Sequence, residues 1–378
     1  MASTFSTDPA QLPLVIGIDI GGTQMRVAVL QGATMRSRVR MLTGKQTLPE
    51  QMLPRIFAAI EQALLEAQAT LEQVAGIGIA TPGPINHSTG IIYDPPNLPG
   101  WKEVPLRDIF QQRYALPIYV ENDANTAALG EYIFGAGGPP GGCRNMVYLT
   151  VSTGIGGGII IDGKIVEGAN GTAGELGHMS IDWRGPACPC GNRGCLEYLA
   201  SGTAIARAAN EAIEAGQGTE LLAFASAMLA HPSSVPDQRA LPMPPDVETQ
   251  PLDMLDESNA LDEPGTSIKQ GEHLRVNAQT VARAAEAGIP LARSIIAEAG
   301  EALGVGLVNI LHIFNPEKVI LGGGVIRMGD MIMEPALRIV QERTLAAPRK
   351  AAQIALAQLG DNAGLIGAGA LIQYYTAS

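Results

Sequence analysis

Between Glu175 and Glu197 the chain gathers one histidine and three of its four cysteines in a turn-rich run. Nine residues separate His178 from Cys188-Pro189-Cys190, and Gly191-Asn192-Arg193-Gly194 leads on to Cys195. One imidazole nitrogen and three thiolates form the closed ligand set of a structural Zn²⁺. A segment with so little apolar content of its own would gain its fold from the ion. The plainer reading is a coincidence of reduced cysteines. Four protein ligands leave no open coordination position, so such an ion shapes the chain and does no chemistry. Glu175 and Glu197 are surplus to it. Acceptors held beside a rigid knot suit the hydroxyl groups of a sugar, and a metal-locked imidazole can turn its second nitrogen toward a ligand.

A second cluster, Glu121-Asn122-Asp123-Ala124-Asn125, follows a short apolar strand at Pro117–Glu121. Groups at the carboxyl end of a strand face the cleft in α/β sheets. There Asp123 could take a proton from a hydroxyl, and Asn122 could hydrogen-bond its neighbour. The same pair also makes a good N-cap for a helix.

Three glycine turns complete the set. Asp19-Ile20-Gly21-Gly22-Thr23 ends a buried strand. Its glycines let backbone N–H groups approach phosphate oxygens, Thr23 adds a hydroxyl, and Asp19 could hold Mg²⁺. A tight hairpin with a turn aspartate is the alternative. Ser152-Thr153-Gly154-Ile155-Gly156-Gly157-Gly158 joins two strands, and no helix follows it. It is therefore a phosphate cradle or an empty hairpin, but not a dinucleotide fingerprint. Gly322-Gly323-Gly324 stands at a strand-to-helix junction, as a ligand contact or a plain crossover. A P-loop motif is absent.

The elements that must position these residues alternate strand and helix. Leu14–Ile20, Arg26–Leu30 and Met35–Met41 read as a meander, Pro49–Thr70 as an amphipathic helix, and Gly76–Ala80 as a buried strand. Asn122–Phe134 reads as helical, with strands at Met146–Val151 and Gly157–Ile161. Further on come a long helix at Leu291–Ile313, a strand at Lys318–Leu321, a helix from Asp330, a strand at Gln353–Leu356 and a last apolar helix at Asn362–Tyr375. A hairpin with a Gly/Thr turn thus occurs twice, as a duplicated fold would have it. The expected organisation is a loose tail at 1–13, an N-terminal α/β domain at 14–121 joined by the last helix (362–376), and a C-terminal α/β domain at 122–361 carrying the zinc loop 175–197. His231–Asn277 differs. It is rich in Pro, Ser and acids, with nine acidic residues against three basic ones. It reads as a surface insertion that buries too little apolar area to offset ordering.

Bulk composition narrows the classes. The chain has 378 residues, a hydrophobic share of 46%, 45 glycines and a net charge of −12. That is room for two domains with small aliphatic cores. The acidity argues against a nucleic-acid partner. No basic segment with an apolar run opens the chain, and no uninterrupted apolar stretch reaches membrane-spanning length. With Cys143 as a free thiol, a reducing cytoplasm is expected.

Together these motifs resemble the ROK family of sugar kinases and sugar-responsive repressors. The resemblance runs from Leu14 to Tyr375 through Asp19–Thr23, Thr81-Pro82-Gly83-Pro84, Glu121–Asn125, Thr153–Gly158, Gly174–His178, Cys188–Glu197 and Gly322–Gly324, in the family's order. It implies an actin-like, hexokinase-type (ribonuclease H-like) fold of two α/β domains around a cleft. By that resemblance Asp123 is the catalytic base, and Asn122, Glu175, His178 and Glu197 bind sugar hydroxyls beside Gly83. The turns at Gly21, Gly22 and Thr23 and at Thr153, Gly154 and Gly156 would hold the phosphates of Mg²⁺–ATP, with Gly323 near the nucleoside.

Pro96-Asn97-Leu98-Pro99-Gly100-Trp101 and the Cys190–Glu197 run look most like the family's bacterial glucokinases. The implied reaction is ATP-dependent phosphorylation of glucose at its 6-hydroxyl, in a homodimer. The alternatives are kinases of N-acetylmannosamine, N-acetylglucosamine, fructose or allose, or a sugar-sensing repressor. For the repressor, the 18 residues before Asp19 are too few for a winged helix. The 231–277 segment departs from the usual family pattern.

Overall fold

The computed structural model describes residues 8, 11–45, 47–139, 142–230 and 275–376. The first half begins with a meander, β1 (Leu14–Ile20), β2 (Gln24–Gln31) and β3 (Thr34–Leu42). α1 (Pro49–Glu66) follows, with proline in its first turn, where a missing N–H costs little. Next come β4 (Val74–Thr81) and a small sheet of β5 (Ile85–Asn86), β6 (Ile91–Ile92) and β7 (Val104–Pro105). Then α2 (Leu106–Arg113) leads to β8 (Ile118–Asn122) and α3 (Asp123–Phe134).

The second half repeats the plan with β9 (Met146–Val151), β10 (Ile155–Ile161) and β11 (Lys164–Ile165). After the cysteine loop come α4 (Leu196–Ala200), α5 (Gly202–Glu214), α6 (Thr219–Ala230), α7 (Ala278–Glu286) and α8 (Pro290–Phe314). The chain ends with β12 (Lys318–Gly322), α9 (Asp330–Arg343), α10 (Ala346–Ala351), β13 (Gln353–Leu356) and α11 (Ala363–Thr376).

The two large sheets have one topology. Their orders are β3-β2-β1-β4-β8 and β11-β10-β9-β12-β13. In each an antiparallel meander is extended by two parallel strands. The duplication suggested by the two glycine hairpins is therefore present, in the two-domain α/β plan expected. One apolar core joins the first sheet to α1 and α2, and another joins the second sheet to α5, α7, α8 and α9. Between the sheets lie α11, packed on β1 and β4, and α3, packed on β9 and β10. These two helices also pack on each other.

The glycine-rich, aromatic-poor composition serves that central contact. A Cβ on Gly78 of β4 would stand 1.7 Å from the Ala368 carbonyl oxygen, and one on Gly367 would stand 1.7 Å from that of Thr126. Backbone approaches this close admit no side chain, so both glycines are fixed by packing.

α8 is long and apolar enough to cross a membrane by length and composition, but 61% of that window is buried. It packs on α4, α5, α7 and α9, so it is a core helix.

The acidic segment is described only at its end. Most of His231–Asn277 lies outside the described residues, but its last three positions belong to the folded body. Val276 is buried, and its N–H and carbonyl both bond to the Asn210 side chain, at 3.0 and 2.8 Å. Asn277 caps α7 by accepting from Thr280 N–H. Most of the tail 1–13 is likewise outside the description. Near its end, the Leu12 carbonyl accepts from Gln31 Nε2 at 3.0 Å.

Candidate active site

β8 ends and α3 begins at the Asn122–Asp123 step. Asn122 caps α3: its Oδ1 accepts from Ala124 N–H at 2.9 Å and from Asn125 N–H at 3.3 Å. The capping and functional readings of this motif are therefore compatible, because the Nδ2 of Asn122 is not used in the cap. Asp123 opens the helix, and its Oδ1 accepts from Ala124 N–H at 2.8 Å. Its side chain reaches solvent inside the cleft, yet protein crowds it on most sides. That desolvation, with the charges of Asp19 and Glu175, pushes its pKa up to about 6 against the pull of the Ala124 N–H. A carboxylate tuned toward neutrality suits a general base.

Asp123 lines a cavity of about 110 Å³ with Gly83, Asn122, Gly156, Glu175 and the loop Gly171–Gly174. Both halves of the chain thus contribute walls. Gly83, Asn122, Asp123 and Glu175 share this cavity with Gly156, which the resemblance places at the phosphates of ATP. His178 and Glu197 do not line this cavity. Glu197 stands behind the second glycine hairpin, where its Oε2 accepts from Ile155 N–H at 2.8 Å. A Cβ on Gly154 would lie 2.5 Å from the same oxygen. Glu197 thereby ties the cysteine loop to this turn.

The first turn is latched by Thr43, whose hydroxyl donates to the Gly21 carbonyl at 2.6 Å and whose N–H bonds to the Thr23 carbonyl at 2.9 Å. Gly22 packs against Asn97. At the head of this turn, Asp19 pairs across β1–β2 with Arg26, which also donates to the Asp361 carbonyl. Arg26 was not foreseen as a site residue. The signal was available: a hairpin turning through Gly21–Thr23 sets these two residues opposite. Arg26 engages Asp19 Oδ2, so Oδ1 is the oxygen left to meet a cation such as Mg²⁺.

In the second hairpin the Ser152 N–H bonds to the Gly154 carbonyl at 2.8 Å, and the Thr153 carbonyl is held by Thr203. Gly156 belongs to β10, paired with Thr150, and not to the turn itself. Gly323 has φ +96, and a Cβ there would meet the Val151 carbonyl oxygen at 2.3 Å. The Gly322–Gly324 turn is thus pressed against the base of the Ser152 hairpin, at the carboxyl ends of β9 and β12. Neighbouring glycine turns at that end of a sheet leave backbone open to a nucleotide.

His178, Cys188, Cys190 and Cys195 converge, with one ligand atom from each within 4.8 Å of the others. Cys190 Sγ and Cys195 Sγ are 3.6 Å apart. That is close to the edge of a tetrahedron with Zn–S bonds of about 2.3 Å, roughly 3.8 Å. His178 Nδ1 is buried without a hydrogen-bond partner, as a nitrogen reserved for metal would be. Burial and neighbouring sulfurs push the Cys195 thiol up to about 12, so three thiolates here call for a cation. The residues fit Zn²⁺. Cys143 is remote from them and buried, with its Sγ–H toward the Gly137 carbonyl.

Comparison with known proteins accords with this geometry. The ROK family model matches residues 15–241 and 252–374. The match enters the acidic segment from both sides, so the departure from the family pattern is narrower than 231–277. A glucokinase of Halalkalibacterium halodurans is 33% identical over 95% of this chain and 94% of its own length. A xylose repressor of Caldicellulosiruptor bescii is 30% identical over 95% of this chain and 77% of its own length. Among solved structures, a ROK glucokinase from Streptomyces griseus, in complex with glucose and AMPPNP, superposes with a TM-score of 0.70. It is 30% identical and covers 95% of this chain and 98% of its own. With its duplicated sheets, its cleft and its cysteine knot accounted for from end to end, the chain belongs to the ROK family.

Proposed function

We propose that this protein, an ATP-dependent sugar kinase, phosphorylates glucose at the 6-hydroxyl. What carries the reading is Asp123, tuned toward neutrality in a cavity shared with Asn122 and Glu175. It is supported by glucokinase relatives that match nearly the full length. Phosphoryl transfer asks mainly for positioning and charge neutralisation. Asn122 and Glu175 orient the sugar, and Asp123 accepts the proton of the attacking hydroxyl. The N–H groups of the two glycine turns hold the phosphates. Mg²⁺, when bound at Asp19, neutralises phosphate charge. The reduced cysteines fit a cytoplasmic setting.

Two measurements test this. ADP release is followed across glucose, mannose, fructose, N-acetylglucosamine and N-acetylmannosamine. Glucose should give the highest kcat/KM, and a hexosamine in first place would overturn the substrate assignment. Turnover of none of them alongside tight sugar binding would favour the sensing role named for the repressor relatives. The second measurement is a pH profile. The base must be ionised, so kcat/KM should rise with pH through about 6 and then level. A profile flat from pH 5 to 8 would contradict the role of Asp123.

A further inference from the structure

Beneath the sugar-side cavity lies a buried ionisable cluster to which the reaction assigns no part. His87, between β5 and β6, has its Nδ1 2.7 Å from Glu121 Oε2 and its Nε2 3.1 Å from the Gly171 carbonyl oxygen. Glu167 completes the group, with all three ligand-type atoms within 4.8 Å. The His87 and Glu121 side chains are 8% and 0% exposed. A carbonyl only accepts, so Nε2 must carry a proton. Glu121 Oε1 already accepts from Asn122 N–H at 2.7 Å and Asn125 Nδ2 at 3.0 Å, so the same side chain reaches the strand end that carries the site. His87 thus stands among the Glu121 and Glu167 carboxylates, with Nδ1 facing Glu121 Oε2 and Nε2 tied to the Gly171 carbonyl.

We infer that His87 is a positioning residue for the sugar wall, clamping the Gly171–Glu175 loop to the strand end that carries Asn122 and Asp123. The inference rests on the sugar-kinase reading of the site. His87 and Glu121 come from the first half of the chain, and Glu167 and Gly171 from the second. Glu167 is also tied to the loop, since its carbonyl accepts from Ala173 N–H at 3.1 Å. Gly171, Thr172, Ala173, Gly174 and Glu175 all line the cavity, so the clamp sets the wall against the base. Other charged or titratable groups around it include Tyr375 of α11, whose hydroxyl donates to Glu167 Oε1 at 3.2 Å, Tyr374 beside it, which feels the charges of Glu167 and Glu121, and Arg107 of α2, which holds the His87 carbonyl. Burial alone would lower the His87 pKa, but Glu121, the Gly171 carbonyl and Glu167 together raise it.

The test compares wild type, His87→Gln and His87→Gln/Glu167→Gln. The single variant should raise the sugar KM by about tenfold, with kcat and the ATP KM changed less than about threefold. The double variant should recover much of that loss, because one of the two stranded carboxylates is gone. Amide hydrogen exchange at residues 171–175 gives a readout independent of turnover. It should quicken in the single variant, whether or not the preferred sugar proves to be glucose. Unchanged exchange and an unchanged sugar KM in a folded His87→Gln protein would overturn the clamp. So would equal losses for sugar and ATP without rescue, which mark packing alone. A second zinc per chain that disappears with His87 would also overturn it, since Nδ1 would then bind metal instead of facing Glu121.

Discussion

Replacing Asp123 by asparagine should stop phosphoryl transfer while leaving sugar binding nearly intact. The amide is isosteric, and its oxygen can still accept the Ala124 N–H that now reaches Asp123 Oδ1 at 2.8 Å. Helix α3 should therefore start where it does now, with Asn122 still capping it. What disappears is a group that can receive a proton. Loss of a positioned base costs about 10²–10⁴-fold in rate, and kcat should fall by at least that much. Sugar affinity, measured by calorimetry without nucleotide, should stay within about threefold. Turnover near the wild-type rate would remove Asp123 from the mechanism.

The same substitution has a consequence for stability. The folded pKa of Asp123 is raised from 3.8 to about 6, so the folded state favours its protonated form. That contribution is complete below the unfolded value and is lost as pH rises through about 6. At neutral pH the ionised side chain works against folding. Asp123→Asn should accordingly melt at or above the wild-type temperature at pH 7.5, with the advantage vanishing near pH 4. A gain in stability with loss of turnover is the usual mark of a site strained for function.

Much of this site was legible in the sequence because its parts are local. A buried apolar run followed by Asp-Ile-Gly-Gly-Thr, or a strand ending in Glu-Asn-Asp, carries both its element and its chemistry in a few residues. The strands Met146–Val151 and Gln353–Leu356 fall where the apolar runs put them. The short strands at Ile85–Asn86 and Ile91–Ile92 did not stand out, because a two-residue pairing leaves no period to read. Nor were α5–α7 read, although α5 and α7 carry a marked apolar stripe and only α6 is apolar nearly all round. His87, Glu121 and Glu167 illustrate a harder limit. Each sits on a different element, and only the tertiary fold brings them together. Glu197 shows another: nothing in its place in the cysteine loop announces that its Oε2 accepts from the backbone of the second hairpin.

Removing zinc should disable the enzyme without any loss of catalytic groups. Purified protein should carry close to one Zn²⁺ per chain, and Cys195→Ser should abolish that stoichiometry. Cys195 is fully buried, next to the start of α4, and its replacement leaves two thiolates and an imidazole without a fourth soft donor. Besides the ion, the loop is held by two isolated bridges, Ser180 with Cys195 and Ala187 with Arg193, by short-range backbone hydrogen bonds, and by exposed side-chain bonds of Ser180, Asp182 and Asn192. Apparent zinc binding in comparable small sites is worth about 10–16 kcal/mol, more than such contacts can replace. The damage should spread along covalent lines. Glu175 shares a single turn with the ligand His178, and Glu197 follows the ligand Cys195 by two residues. When the knot opens, Glu175 leaves the sugar wall and Glu197 releases the Ile155 N–H, loosening the second glycine hairpin. Sugar and ATP KM should therefore both rise, by about tenfold or more, and the melting temperature should fall. Cys143→Ser, remote from the knot, should leave the zinc content unchanged. Protein stripped of metal that stays folded and fully active would refute the structural role. It would also leave His178 Nδ1 as a buried nitrogen with no purpose in the fold.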